Sequence, residues 1–303
     1  MSSNKTILLS LSIAFITSIT LFFILYNEFP DTHVDRQNHQ FFDQKLEGEN
    51  IFLIGSSHVN QLNTTHIHNK ILKNSEKFAV YNLAINADDP RKRLKDIEKI
   101  ISLEPTMIFY GVSYRDFSSS EKEQQQITSI SLDINPKFST MQAIRSVLSE
   151  LGLFQEKKDE FTDINSPFKM IGEKQTVIQP KEIIEIQTKE QKIEKLKLES
   201  NDNEQVNYFK EIISKFQNNN IEVIIFTTPV SQSYFEQIPK DGKNNFKLIL
   251  NEIEEEFDIK MYNFTTKFSN LNIWQNPTHV AFNPDSIIFS EEIAKMIIQE
   301  IDE

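Results

Sequence analysis

Short unbroken apolar runs alternate along this chain with stretches in which apolar residues recur every three or four positions. Ile51–Gly55 (IFLIG), Ala79–Ile85 (AVYNLAI), Thr106–Gly111 (TMIFYG) and Ile221–Thr227 (IEVIIFT) are too short for helices and end in small or polar residues. Such runs predict strands buried on both faces, as in a parallel sheet. Lys260–Phe264 predicts a short fifth strand. Between the second and third runs, Asp88 and Asp89 precede Pro90, an acidic cap followed by proline in the first turn, and Leu94, Ile97, Ile100 and Ile101 follow at helical spacing until Pro105. Helical spacing returns at Val206, Phe209, Ile213 and Phe216, and again at Phe246, Ile249, Ile253 and Phe257. A terminal helix is predicted over Pro284–Ile301, with Phe289, Ile293, Met296, Ile297 and Ile301 inward. Strand, helix and strand at these separations form βαβ units. The predicted class is therefore α/β, a flavodoxin-like three-layer α/β/α domain with a mostly parallel sheet.

Two regions depart from this alternation. Thr6–Tyr26 carries no charge, proline or glycine, and about 20 apolar residues suffice to cross the hydrocarbon core. Lys5 precedes it and Glu28, Asp31 and Asp35 follow. Positive residues stay inside, so the pattern predicts an uncleaved, single-pass signal anchor in the cell membrane, with the N-terminus inside and the remainder outside. The expected organisation is a stub and transmembrane helix over 1–26, a polar tether over 27–50 and an α/β ectodomain over 51–303. The second departure is a charged insertion at about 118–200. There Ser118–Gln126 reads as a polar loop, Met141–Phe154 as a helix, and Asp159–Ser200, rich in Lys, Glu and Gln, as a solvated helix face on the rim.

Composition narrows the chemistry. The 303 residues carry a formal net charge of -12, which disfavours nucleic acid as a partner. The chain has no cysteine, excluding disulfides, thiolate metal sites and a thiol nucleophile. Six glycines argue against a glycine-rich phosphate loop. Asn63-Thr64-Thr65 and Asn263-Phe264-Thr265 match the glycosylation pattern, a weak pointer to an external domain.

Ligands of open α/β sheets bind at the carboxyl ends of the strands. The groups expected there are Ser56, Ser57 and His58 after the first strand, Asn86 to Asp89 after the second, Ser113 to Asp116 after the third, and Trp274 to His279 before the last helix. A serine at a strand end and a late histidine are the two parts of an activated hydroxyl nucleophile. Each residue also has a bland reading. Ser57 could be a helix cap, His58 a structural residue pointing away, and Trp274 a core residue rather than a sugar platform. Arg115 and Asp116 could form a local ion pair rather than contact substrate. His66 and His68 alternate like a strand or turn, and no further ligand spacing supports a metal there.

Taken in order, IFLIGSSHV, YNLAINADDP, MIFYGVSYRDF and NPTHVAFNPDS resemble the blocks of the SGNH/GDSL hydrolase superfamily, especially its membrane-anchored, cell-surface polysaccharide-modifying members. The resemblance spans most of 51–303 outside the insertion. It implies Ser57 as nucleophile and His279 as general base, with Asn276 standing where the family has Asp. The oxyanion hole would be Ala87, where the family has Gly, and Ser113, where it has Asn, with Arg115 a less regular candidate for that place. Arg115, Asp116 and Trp274 would be substrate contacts, with no metal or organic cofactor. The implied activity is a membrane-anchored serine esterase or O-acyltransferase on acylated surface glycans. The alternative is a catalytically degenerate ectodomain of the same fold that binds a glycan or a surface partner.

Overall fold

The computed structural model describes residues 41–118 and 166–302, without 192, 194–196, 200 and 201, together with the isolated Thr17. The chain divides into two compact units. Residues 1–43 with 135–156 form one, which falls almost wholly outside the described residues. Residues 44–134 with 157–303 form the other, which carries the sheet. The predicted anchor Thr6–Tyr26 (save Thr17), tether residues 27–40, residues 119–126 of the polar loop and the predicted helix Met141–Phe154 lie outside the described residues. Among the described residues no helix is long and apolar enough to cross a membrane.

The elements in chain order are β1 (Glu49–Gly55), α1 (Ser57–Asn60), α2 (Thr64–Leu72), β2 (Phe78–Asn82), α3 (Pro90–Ile101), β3 (Met107–Val112), α4 (Tyr114–Phe117), α5 (Lys181–Glu190), α6 (Glu204–Asn218), β4 (Glu222–Thr227), α7 (Gln232–Gln237), α8 (Lys240–Phe257), β5 (Met261–Asn263), β6 (Trp274–Asn276), β7 (His279–Val280) and α9 (Ile288–Asp302). β1 to β5 form one sheet in the order β2-β1-β3-β4-β5, parallel throughout. This is the flavodoxin-like order, with its switch point between β1 and β3.

Both faces of the sheet are covered, which is why its strands are continuous apolar runs. Ile51, Leu53, Phe109 and Phe226 pack with Ile67 and Ile71 of α2 and with Phe289, Ile293 and Ile297 of α9. The opposite face carries α3 and α6, where Tyr110 meets Phe209 edge-on, their ring centroids 4.8 Å apart. β2 is shorter than the predicted Ala79–Ile85. Its pairing loosens because Asn82 turns its side-chain oxygen onto the Ala84 N–H, although Leu83 and Ile85 still donate to Leu53 and Gly55 of β1. α2 replaces the strand or turn expected around His66 and His68. Asn63 caps it, accepting from the His66 N–H at 2.9 Å. The cap leaves Asn63, the first residue of the Asn63-Thr64-Thr65 pattern, 8% exposed.

Two facing glycines seat the first candidate residue. Gly55 of β1 and Gly111 of β3 stand opposite each other in register. Val59 of α1 lies over both, and a Cβ at either position would collide with its side chain. The absence of two side chains lets α1 drop onto the sheet edge, with Ser57 at its first helical position.

Candidate active site

Ser57 begins α1, whose N-cap is Ser56 and not Ser57. Its backbone N–H is one of those a helix leaves without an internal acceptor. Its hydroxyl lies 2.7 Å from Nε2 of His279, a residue 222 positions away in sequence.

His279 is presented by the antiparallel pair β6–β7, in which Asn276 stands opposite His279. Asn276 organises the turn. Its Oδ1 accepts from the N–H groups of Thr278 at 3.0 Å and His279 at 3.1 Å, and from the Thr278 hydroxyl at 3.2 Å. Those donors require the oxygen, not the amide nitrogen, on that side. The same oxygen lies 2.9 Å from His279 Nδ1. An amide oxygen can only accept, so Nδ1 carries the proton and Nε2 presents its lone pair to the Ser57 O–H. Side-chain geometry alone thus sets the tautomer a general base needs.

The hairpin is tied to its surroundings by backbone bonds. Gln179 donates to Trp274 at 2.8 Å, Ser231 to Pro277 at 2.9 Å and Ala281 to Ile273 at 2.7 Å. Gln61, just past α1, reaches Gln275 at 2.6 Å, linking the serine helix to the histidine hairpin.

His58 does not point away, as the sequence reading had it. Its ring stacks on His279 with centroids 4.3 Å apart and planes 8° from parallel. Its Nδ1 is 2.9 Å from Ser56 Oγ, while its Nε2 is buried without a partner among the described residues. Burial above all, then the charge of a protonated His279 and that of Arg115, holds His58 well below the ordinary imidazole range. His279 is lowered to about 4, mainly by burial and then by Arg115. Both rings are therefore neutral at neutral pH, and repulsion keeps both from charging together.

The remaining expected residues divide. Ala87 has φ +57, a left-handed conformation that glycine adopts freely and alanine rarely does. Its N–H finds no acceptor among the described residues. Ser113 caps α4 at the end of β3 in a capping box with Asp116, whose Oδ2 accepts the Ser113 N–H at 2.5 Å. Asp116 is thereby committed to its own helix, and burial raises it to about 7. Arg115 is exposed, and the ion pair considered between these two neighbours does not form. Trp274, 3% exposed, belongs to the core. His66 lies 3.4 Å from Glu291, whereas His68 accepts from the Val80 N–H and stacks on Phe168, so the two serve different neighbours. Residues 166–180, placed by sequence in the insertion, run alongside the site. Lys169 donates to the carbonyls of Asn60 and Leu62, and Glu173 receives Asn60 Nδ2 at 2.6 Å.

The sequence reading missed the stacking of His58, the turn role of Thr278 and the support from Gln61 and Ser231. Adjacency to Ser57 and His279 was the only available signal for the first two.

No protein-family model and no curated protein matches the chain. Among solved structures it is similar to a GDSL-like lipase from Bacteroides thetaiotaomicron, at 9% identity over 89% of this chain and 98% of that one, with a TM-score of 0.45. It is similar to an esterase from Pseudoalteromonas sp. at 11% identity, over 84% of this chain and 100% of that one, with a TM-score of 0.46. A lipase/acylhydrolase from Enterococcus faecalis matches at 12% identity, over 84% and 95% of the two chains, with a TM-score of 0.45. Likeness of this degree carries no activity across, and the chemistry is set by the side chains themselves.

Proposed function

We propose that the protein is a serine esterase or O-acyltransferase, held at a membrane by Thr6–Tyr26 and acting on acylated surface glycans. The observation that supports the chemistry is the 2.7 Å approach of Ser57 Oγ to an acceptor Nε2 on His279. In the proposed reaction Ser57 Oγ attacks the ester carbonyl carbon as its proton passes to His279 Nε2. The oxyanion is met by the N–H groups of Ser57 and Ala87 and by the Ser113 hydroxyl. The C–O bond to the alcohol then breaks, and His279 returns the proton to that alcohol. Water, or a second sugar hydroxyl in a transferase, gives its proton to His279 and attacks the acyl-enzyme, releasing acid or new ester and free Ser57. The glycan and the anchor follow from the resemblance and the apolar run described under Sequence analysis.

The second reading is a binding module of the same fold. Asn276 favours it, because an amide orients the imidazole but supplies no charge to its protonated form. Full-length protein in mild detergent, wild type and Ser57→Ala, separates the two with a fluorophosphonate probe and 4-nitrophenyl acetate. Labelling and turnover that both vanish in Ser57→Ala are expected. Folded protein showing neither in wild type would leave the binding module.

A further inference from the structure

The charges around the histidine pair are one-sided. General-base catalysis makes an imidazolium on His279 and an oxyanion on the substrate, and most such sites face the imidazolium with a carboxylate. Here the facing group is the neutral Asn276. The carboxylate closest in sequence to Arg115, that of Asp116, is turned back onto the Ser113 N–H. Among the described residues, the one fixed charge that acts on both His58 and His279 is that of Arg115.

Arg115 reaches this position by topology. β1 and β3 are neighbours with Gly55 opposite Gly111, so the segments leaving them, Ser57–Asn60 and Tyr114–Phe117, start side by side at the carboxyl edge of the sheet. The Arg115 side chain is exposed and makes no hydrogen bond or ion pair among the described residues. Other cations on this acidic surface, among them Lys92, Lys99, Lys210, Lys215 and Lys267, pair with carboxylates. A guanidinium with no partner among the described residues, at the sheet edge that carries Ser57, is a ready donor fork for a carboxylate or phosphate.

We infer that the substrate is an anionic ester, one carrying a carboxylate or phosphate group near the scissile bond, and that Arg115 binds that group. The inference rests on the esterase reading above and names its substrate class. The bound anion neutralises Arg115 and brings negative charge to the site. It thereby supplies, from the substrate, the counter-charge to the imidazolium that Asn276 lacks. A neutral ester leaves Arg115 opposing that imidazolium.

The test compares full-length wild type with Arg115→Gln on matched esters. Neutral methyl 4-acetoxybenzoate is set against 4-acetoxybenzoate and 4-acetoxyphenyl phosphate, with the charge on the alcohol side. Neutral 4-nitrophenyl butyrate is set against mono(4-nitrophenyl) succinate, with the charge on the acyl side. In wild type, kcat/KM should favour at least one anionic member over its neutral partner by about tenfold or more beyond the ratio in Arg115→Gln, about the value of one charge-assisted hydrogen bond. Whether carboxylate or phosphate gives the larger preference identifies the group. Equal ratios in the two proteins for every pair would overturn the inference. A binding arm keeps this separate from catalysis. In a Ser57→Ala background, calorimetry should show 4-acetamidobenzoate binding more tightly than 4-acetamidobenzamide, and that preference should be lost when Arg115→Gln is added. Arg115-dependent binding without Ser57-dependent turnover would overturn the esterase reading alone. Binding without any such preference would overturn the anion site.

Discussion

Replacing Asn276 with aspartate isolates what one charge contributes to this site. The change is close to isosteric and breaks nothing. Oδ1 accepts from three N–H or O–H donors besides Nδ1, all of which a carboxylate accepts as well, and Nδ2 has no partner among the described residues. Those donors also favour the ionised form. With Oδ1 at 2.9 Å from Nδ1, the centres of the two charges stand about 4 Å apart, so their attraction is about 4 kcal/mol at an effective dielectric near 20. The Asn276 dipole already supplies part of this, so the net gain is about 2 kcal/mol, or roughly 30-fold in kcat. The same energy raises His279 from about 4 by about 1.5 units. The sign is fixed: catalysis needs neutral His279, activity is lost as pH falls through its pKa, and a new anion must move that acid limb upward. Hydrolysis of 4-nitrophenyl acetate from pH 3.5 to 9 measures both quantities. The expected limb lies near 4 in wild type and roughly 1.5 units higher in Asn276→Asp, with kcat on the plateau increased. An unchanged plateau together with an unmoved limb would refute the assignment of Asn276 as the partner of the general base.

Two further outcomes follow from the same geometry. His58→Leu removes the ring stacked on His279, and an aromatic pair contributes about 1 kcal/mol. The kcat should fall about fivefold with KM little changed, and His58→Phe should restore most of it; equal kcat in wild type and His58→Leu would show the stacking to be incidental. Ala87→Gly should relieve a left-handed alanine at a cost of about 1–2 kcal/mol, partly offset by about 0.4–1 kcal/mol of extra unfolded-chain entropy. Urea unfolding should therefore show a gain of up to about 1.6 kcal/mol, and a clear loss would mean that position 87 does not adopt positive φ.

Much of the fold was legible because each element carries its own period. Strands buried on both faces must be apolar throughout, so β1, β3 and β4 stood out to within about two residues of their ends. α6 and α8 showed their buried stripes at helical spacing. α2 did not, because its inward face mixes Ile67 and Ile71 with Thr64 and His68, whose burial rests on hydrogen bonding rather than apolarity. The β6–β7 pair escaped notice because two- and three-residue strands carry no period at all.

The candidate site divides in the same way. Ser57 and His279 could be named from sequence because a polar residue after a buried strand must emerge at one sheet edge, wherever its partner lies along the chain. The sequence by itself also determined that any base there would lack a carboxylate at position 276. Only the tertiary structure decided that His58 stacks on the base, that Asp116 turns inward to cap its helix and that its neighbour Arg115 has no partner among the described residues. Local pattern places a residue on an element, whereas a side chain's partner depends on which donors, acceptors and charges the other elements bring within about 3 Å of it.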